Sequence, residues 1–180
     1  MARAFQADPA WAWVVPDESR RRRVLPWLFA AGLRLEVLRK TALSAEDGAG
    51  VATWIPPSTP RPTRGQVVRA GLPLAELLLR RPERIRLRRY FDVSQTLYRH
   101  DLAGAWYLSG VAVDPALQRH GIGRALVEWG IERARGDGRP CGLLTYAPEN
   151  LSFYEPLGFS VVSLHDDPGG VPRAWAMLRQ

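Results

Sequence analysis

The chain has 180 residues, of which 46% are hydrophobic and 24% charged, with a net charge of +7; this balance belongs to a globular chain and excludes a disordered one. No apolar run approaches the roughly 18 residues of a membrane span, and Met1 to Phe5 lacks the apolar core of a secretion signal. Cys141 is the only cysteine, which excludes an internal disulfide framework and zinc sites built on cysteine pairs, and fits a reducing cytoplasm.

In chain order, residues 1–14 and 18–31 read as helices, the second with Leu25, Leu28 and Phe29 on one face. All 25 basic residues except Lys40 are arginine, a bias that fits GC-rich coding better than a function. The densest runs, Arg20 to Arg23 and Arg80 to Arg89, fall in helical stretches and read as solvated faces. No zinc-finger or RNA-binding signature accompanies them, so no specific nucleic-acid partner is expected. Residues 38–43, 45–48 and 51–55 read as strand, turn and strand. The proline-rich segment 56–62 is a loop. Residues 65–98 read as two helices broken near Arg81-Pro82. From Ala105 the order becomes strand (106–113), helix (121–135), strand (141–146), short helix (150–157) and two strands (159–164 and 173–178). Ile122, Ala125, Leu126 and Trp129 are expected on the inner face of the first of these helices. The expected fold class is α/β, a mixed sheet with helices on its faces, in one domain over 1–180.

The most informative stretch runs from Val111 to Ala125. An apolar strand enters a turn, Gln118-Arg119-His120-Gly121-Ile122-Gly123, that opens a helix. Free backbone N–H groups at a helix start, together with the helix dipole, suit a pyrophosphate. Gly121 and Gly123 let those groups come close, and Arg119 and Arg124 add positive charge. A dinucleotide-binding fingerprint would need a third glycine and an acid on the following strand, and a P-loop would need Gly-Lys-Ser/Thr; neither is present.

This turn resembles the Gln/Arg-x-x-Gly-x-Gly/Ala signature of the GCN5-related N-acetyltransferases (GNATs). The block Asn150 to Phe159, with Asn150, Tyr154 and Gly158-Phe159, resembles the second cofactor motif of the same superfamily, in the right order and at a fitting distance. Trp106-Tyr107-Leu108, Ala147-Pro148-Glu149-Asn150, Val51 to Trp54 before Pro56-Pro57, and Arg173-Ala174-Trp175 look like the puromycin N-acetyltransferase branch. The resemblance covers 104–180 well and the first half patchily.

The resemblance implies an acyl-CoA N-acyltransferase fold and transfer of an acetyl group from acetyl-CoA to a primary amine of a small molecule by direct attack. It implies an acetyl-CoA-binding half over 104–180 and an acceptor-side half over 1–103. The strand Val111-Ala112-Val113 would meet the pantetheine through its backbone. The turn Gln118, Arg119, His120, Gly121, Ile122, Gly123 and Arg124 would hold the pyrophosphate, with Asn150 and Phe153 on the pantetheine arm. Tyr154 matches the family's general acid, a phenol able to protonate a departing thiolate. No metal is expected. Some relatives place a glutamate base at the position of Leu144, and His100 is the histidine best placed to substitute; deprotonation through water needs neither. That leucine also keeps open a non-catalytic acyl-CoA-binding module; action on a protein amine is a further alternative.

Phe5, Trp11, Trp13, Trp54, Phe91 and Tyr98 are candidates for core packing and, in part, for an acceptor pocket. Relatives open with a strand that this sequence lacks. The expectation is therefore a sheet whose edge is the apolar strand 38–43, covered by further chain or by a second copy in a homodimer.

Overall fold

The computed structural model describes residues 1–45 and 48–180. Helix α1 (Pro9–Val14) starts where Asp8 caps it, its carboxylate accepting from the Trp11 N–H at 3.1 Å. Pro9 suits the first helical position because its missing N–H would have no partner there. The helix expected over 1–14 is therefore confined to its second half, and residues 2–7 form turns and bends. Helix α2 (Glu18–Leu38) runs through Pro26 and well past its expected end. Lys40, at φ 59°, then turns the chain into β1 (Ala42–Ser44), which pairs with β2 (Gly50–Ile55). The expected turn at 45–48 lies partly outside the described residues. The stretch read as two helices contains three, α3 (Arg64–Ala70), α4 (Leu72–Leu77) and α5 (Arg81–Asp101), because Gly71 at φ 81° ends the first.

The second half follows the sequence reading closely: β3 (Trp106–Val113), α6 (Ile122–Gly136), β4 (Cys141–Thr145), α7 (Leu151–Tyr154), β5 (Ser160–His165) and β6 (Ala174–Arg179). The strands form one mixed sheet in the order β1-β2-β3-β4-β6-β5, in which only β3 and β4 are parallel. Among the described residues β1 is the edge beside β2, and β5 is the opposite one. β1 is three residues long, so the long apolar edge expected over 38–43 does not form. Leu38 belongs to α2, and an edge this short exposes few open backbone groups.

The two faces of the sheet carry different layers. On one, Trp54, Leu108, Leu143 and Met177 pack under α6 and α7. On the other, Tyr146 and Ala174 pack under Ala10 of α1 and Leu97 of α5. The Trp54 indole fixes α6: its Nε1 donates to the Leu126 carbonyl at 3.2 Å, and a Cβ at Gly130 would lie 2.0 Å from the ring. The helix turns Leu126, Val127, Gly130 and Ile131 inward to receive it. Ala125 and Trp129, expected on the inner face, are exposed, and Arg133 lies over the Trp129 ring at 4.8 Å.

Several arginines read as solvated are instead pins. Arg20 makes a two-pronged contact with Glu83, Nε and Nη2 each at 2.9 Å, tying α2 to α5. Arg21 is buried and donates to the carbonyls of Gln6, Val15 and Pro16, holding both ends of α1. Arg89 joins α5 to Asp167 at 2.7 Å.

Two stability measurements follow from these contacts. Gly130→Ala forces a methyl into the Trp54 ring and should cost at least about 1–3 kcal/mol in denaturant unfolding; an unchanged midpoint would show that α6 can shift freely on the sheet. The Arg20 hydrogen bond holds the Glu83 carboxyl below its ordinary value. The pair therefore stabilises the fold above the unfolded glutamate value of about 4.3 and is lost as pH falls through the lower folded value. Glu83→Gln should lower Tm near neutrality, and the difference from the parent should shrink below about pH 4.

Candidate functional site

The central parallel pair of the sheet is incomplete. β3 and β4 pair only from Trp106 with Cys141 to Leu108 with Leu143. Beyond that, β3 continues to Val113 against β2, while Leu144 and Thr145 of β4 pair with β6. The register of β3 against β2 slips between Thr53 and Trp54, so Ser109 is the extra residue of a bulge where the two strands part. The result is a split in the middle of the sheet with unpaired backbone along one wall.

Backbone alternation says which groups face the split. Asp114 donates its N–H to the Ala49 carbonyl at 2.9 Å, on the β2 side. The N–H groups of Val113 and Val111 therefore point away from β2, into the split, and that of Ala112 toward β2. Ala112 of the expected site strand thus contributes to pairing within the sheet. Gln118 reaches back from the turn to donate its amide to the Val113 carbonyl at 3.4 Å.

At the open end of the split stands the glycine turn. Asp114 caps a short 3-10 turn over Pro115–Leu117, accepting from the Ala116 N–H at 3.0 Å. Arg119 at φ 65° and Gly121 at φ 82° both take the left-handed conformation, and Gly121 leads directly into α6. No side chain caps α6, so the N–H groups of Ile122, Gly123 and Arg124 are left for an external acceptor. A Cβ at Gly123 would sit 3.4 Å from Val113 Cγ2 and 3.6 Å from the Phe153 ring, so this glycine faces the closed side of the turn. His120 is held by its Nδ1 against the Gln118 carbonyl at 2.8 Å. Arg124, expected as a free cation, pairs with Glu128 at 2.8 Å along the exposed face of α6, whereas Arg119 makes no ion pair among the described residues. An open recess of about 480 Å³ begins at Arg124 and runs between α6 and the Pro156–Gly158 turn.

The second motif borders the split from α7. Asn150 donates its side-chain N–H to Thr145 Oγ1 at 3.1 Å, and the same oxygen accepts from the Ala147 N–H. Thr145, which sequence reasoning did not single out, therefore orients Asn150. Phe153 spans from Gly123 to Tyr154, with ring centroids 4.9 Å apart, and is partly exposed. Tyr154 is buried edge-on against Phe159 at 5.9 Å, and burial alone pushes its hydroxyl well above the usual tyrosine range.

On the opposite face the first half supplies a wall of rings. Phe5, Phe29, Trp11, Tyr90 and Tyr146 follow one another at centroid distances of 5.0, 4.9, 5.6 and 5.2 Å, and Tyr98 lies 4.9 Å from Tyr107 of β3. Burial raises Tyr107, with smaller contributions from Tyr146, Tyr98 and Tyr154. Burial pushes Tyr146 up to about 12, although Ser94 stays within 2.7 Å of its hydroxyl. Trp54 belongs to the other face, beneath α6. His100 stands at the far end of β3, exposed and bonded to Asp101 at 2.8 Å. Leu144 packs against the cluster that contains Tyr146. Among the described residues no group of three or more histidine, cysteine or acidic side chains could hold a metal, and no helix is long and apolar enough to cross a membrane.

The fold is shared with solved acetyltransferases. Residues 85–161 match the family model described as an acetyltransferase (GNAT) domain. A histone acetyltransferase HPA2 and related acetyltransferase from Corynebacterium glutamicum superposes with a TM-score of 0.59 at 23% identity, over 98% of this chain and 84% of that one. An agmatine N-acetyltransferase does so with a TM-score of 0.55 at 14% identity, over 97% and 87%. The ribosomal-protein-S18-alanine N-acetyltransferase of Escherichia coli is 30% identical over 42% of this chain and 53% of its own, with a TM-score of 0.36. This chain spans about half the length of that protein and of the matched chain of the NatC complex bound to Gag peptide and CoA.

The uncapped start of α6 gives a direct test. In Gly123→Glu the Cβ meets Val113 and Phe153 at ordinary contact distance, so the fold should survive, and the side chain brings a negative charge to the uncapped first turn of α6. Calorimetric affinity for acetyl-CoA should drop by roughly tenfold or more.

Proposed function

We propose that this chain is an N-acetyltransferase that moves the acetyl group of acetyl-CoA to a primary amine of a small molecule by direct attack. The observation that carries this reading is the split between β3 and β4, with an unpaired strand on one wall, the uncapped helix start at its mouth and Tyr154 beside it. Residues 104–180 bind the co-substrate and residues 1–103 form the acceptor side of the same domain.

Val111 and Val113 offer backbone N–H groups to the pantetheine, as a strand would to its neighbour. The turn from Gln118 to Arg124 takes the pyrophosphate on its backbone N–H groups, with Arg119 as the free cation. Asn150 and Phe153 hold the arm from the α7 side. The amine nitrogen attacks the thioester carbonyl carbon, a C–N bond forms and the C–S bond breaks. A backbone N–H in the split steadies the oxygen that gains charge. The proton lost by the amine leaves through water, since Leu144 carries no acid and His100 lies at the other end of β3. Tyr154 gives its proton to the departing sulfur. Burial keeps that proton on the phenol until the sulfur carries charge, and the same dry surroundings raise the thiolate's demand for it.

The ring wall and the branch-like motifs of the second half favour an apolar or aromatic amine, as in the puromycin N-acetyltransferase branch. The agmatine enzyme among the structural neighbours acts on a small amine. We further infer a cytoplasmic enzyme with no specific nucleic-acid or membrane partner.

Thiol release from acetyl-CoA with a panel of amines tests the activity, and binding without release would make the chain a non-catalytic acyl-CoA-binding module. Tyr154→Phe keeps the ring and removes only the proton. Turnover should fall by roughly 100-fold or more, with acetyl-CoA affinity little changed.

A further inference from the structure

The β4 wall of the split ends in a tyrosine. β4 leaves β3 after Leu143, and Tyr146 directly follows the last residue of the strand, Thr145. Alternation sets its direction. Cys141 and Leu143 point into the core under α6, whereas Leu144 and Tyr146 point to the face that carries α1 and α5. Leu144 is apolar, so beyond the last pair with β3 the polar group that β4 turns to this face is the Tyr146 hydroxyl. Leu143 stands level with Leu108, and an equal step along both strands brings Tyr146 about level with Val111. Tyr146 therefore belongs to the second half of the chain but faces the acceptor side, across the split from the strand that offers backbone N–H groups.

The hydrogen bonds around it run in one direction. The Ser94 hydroxyl of α5 lies 2.7 Å from the Tyr90 carbonyl and 2.7 Å from the Tyr146 hydroxyl. A serine has one hydroxyl hydrogen and a carbonyl only accepts, so Ser94 donates to Tyr90 and accepts from Tyr146. The hydrogen of Tyr146 is thereby committed to α5. Its oxygen makes no other hydrogen bond among the described residues and toward the split it can only accept. The Tyr90 ring, 5.2 Å away, packs against the Tyr146 ring and holds it. Burial pushes the hydroxyl up to about 12, so the phenol stays protonated and does not serve as a base.

We propose that Tyr146 receives an N–H of the reacting amine, with Ser94 as its positioning residue. A primary amine brings two N–H groups and one lone pair. One N–H directed to Tyr146 and one to the water that removes the proton leave the lone pair aimed at the thioester carbon. A secondary amine has a single N–H and cannot serve both. The site is therefore selective for primary over N-methylated amines. This inference rests on the transferase reading for the reaction and on the geometry of Ser94 and Tyr146 for the binding.

The test compares phenethylamine with N-methylphenethylamine in the parent, Tyr146→Phe, Ser94→Ala and Ser94→Thr. The parent should favour the primary amine by about tenfold or more in kcat/KM. Tyr146→Phe keeps the ring. It should lower kcat/KM for phenethylamine about tenfold, chiefly through KM, and leave the N-methyl amine and acetyl-CoA affinity within about twofold of the parent. Ser94→Ala frees the phenol hydrogen to turn toward the amine and should lose part of the preference. Ser94→Thr retains a hydroxyl able to donate to the Tyr90 carbonyl and should restore it. Phenethylamine binding to the CoA-loaded chain, by calorimetry, should weaken in Tyr146→Phe. A tyrosine that only packs would affect both amines alike. Equal losses, a parent without the preference, or a preference that survives Tyr146→Phe overturn the inference, and Ser94→Ala and Ser94→Thr that behave alike overturn the role of Ser94. If neither amine is acetylated while phenethylamine binds through Tyr146, the transferase reading fails and the amine site stands. Binding that is absent, or equal in parent and Tyr146→Phe, overturns the amine site whatever the turnover.

Discussion

The contact between Trp54 and α6 is the constraint on which the rest of the molecule depends. An indole lies where any side chain at position 130 would stand, and its N–H bonds to a carbonyl of the helix itself. Such a contact admits one rotation and one height of the helix on the sheet, because a step along α6 would drive a Cβ into the ring. The first turn of α6 is thereby delivered to the end of β3. The free N–H groups of that turn lie beside Val113 for this reason, since the turn has no side-chain cap of its own to hold it there.

The split sheet then separates two chemistries. On the α6 face the groups offered are backbone N–H donors and arginine, suited to phosphate. On the other they are stacked aromatic rings. Tyr107, on β3 itself, packs with Tyr98 in the second environment, and Tyr154 belongs to the core of the first. The second environment depends on the pins of the first half. Arg21 holds both ends of α1, and Arg20 with Glu83 fixes α2 against α5, so the rings that these three helices carry, Trp11, Phe29 and Tyr90, stay together.

The second half was legible because its signals are local. A strand, a glycine turn and an amphipathic helix each announce themselves within a few residues, and their boundaries emerged nearly where they were expected. The first half depends on contacts distant in sequence. The helix read over 18–31 continues as α2 to Leu38 because its buried face of Val24, Leu28, Ala31 and Leu35 goes on being covered. The inner face of α6 was misjudged by about one residue because apolar spacing cannot reveal that a glycine receives an indole from another strand. Arginines read as solvated proved to be paired, since their carboxylates lie tens of residues away.

The lone thiol turns the central strand pair into its own reporter. Cys141 opens β4 at the point where it pairs with Trp106, is 1% exposed, and has a thiol pushed up to about 11 by burial. Both effects suppress its reaction with alkylating agents while the strands stay together. Labelling at this one atom therefore counts how often the paired end of the sheet opens, with no signal from any other residue to subtract. A ligand that binds across the split and ties β3 to β4 would slow that clock, making co-substrate binding measurable on the native chain by chemistry alone.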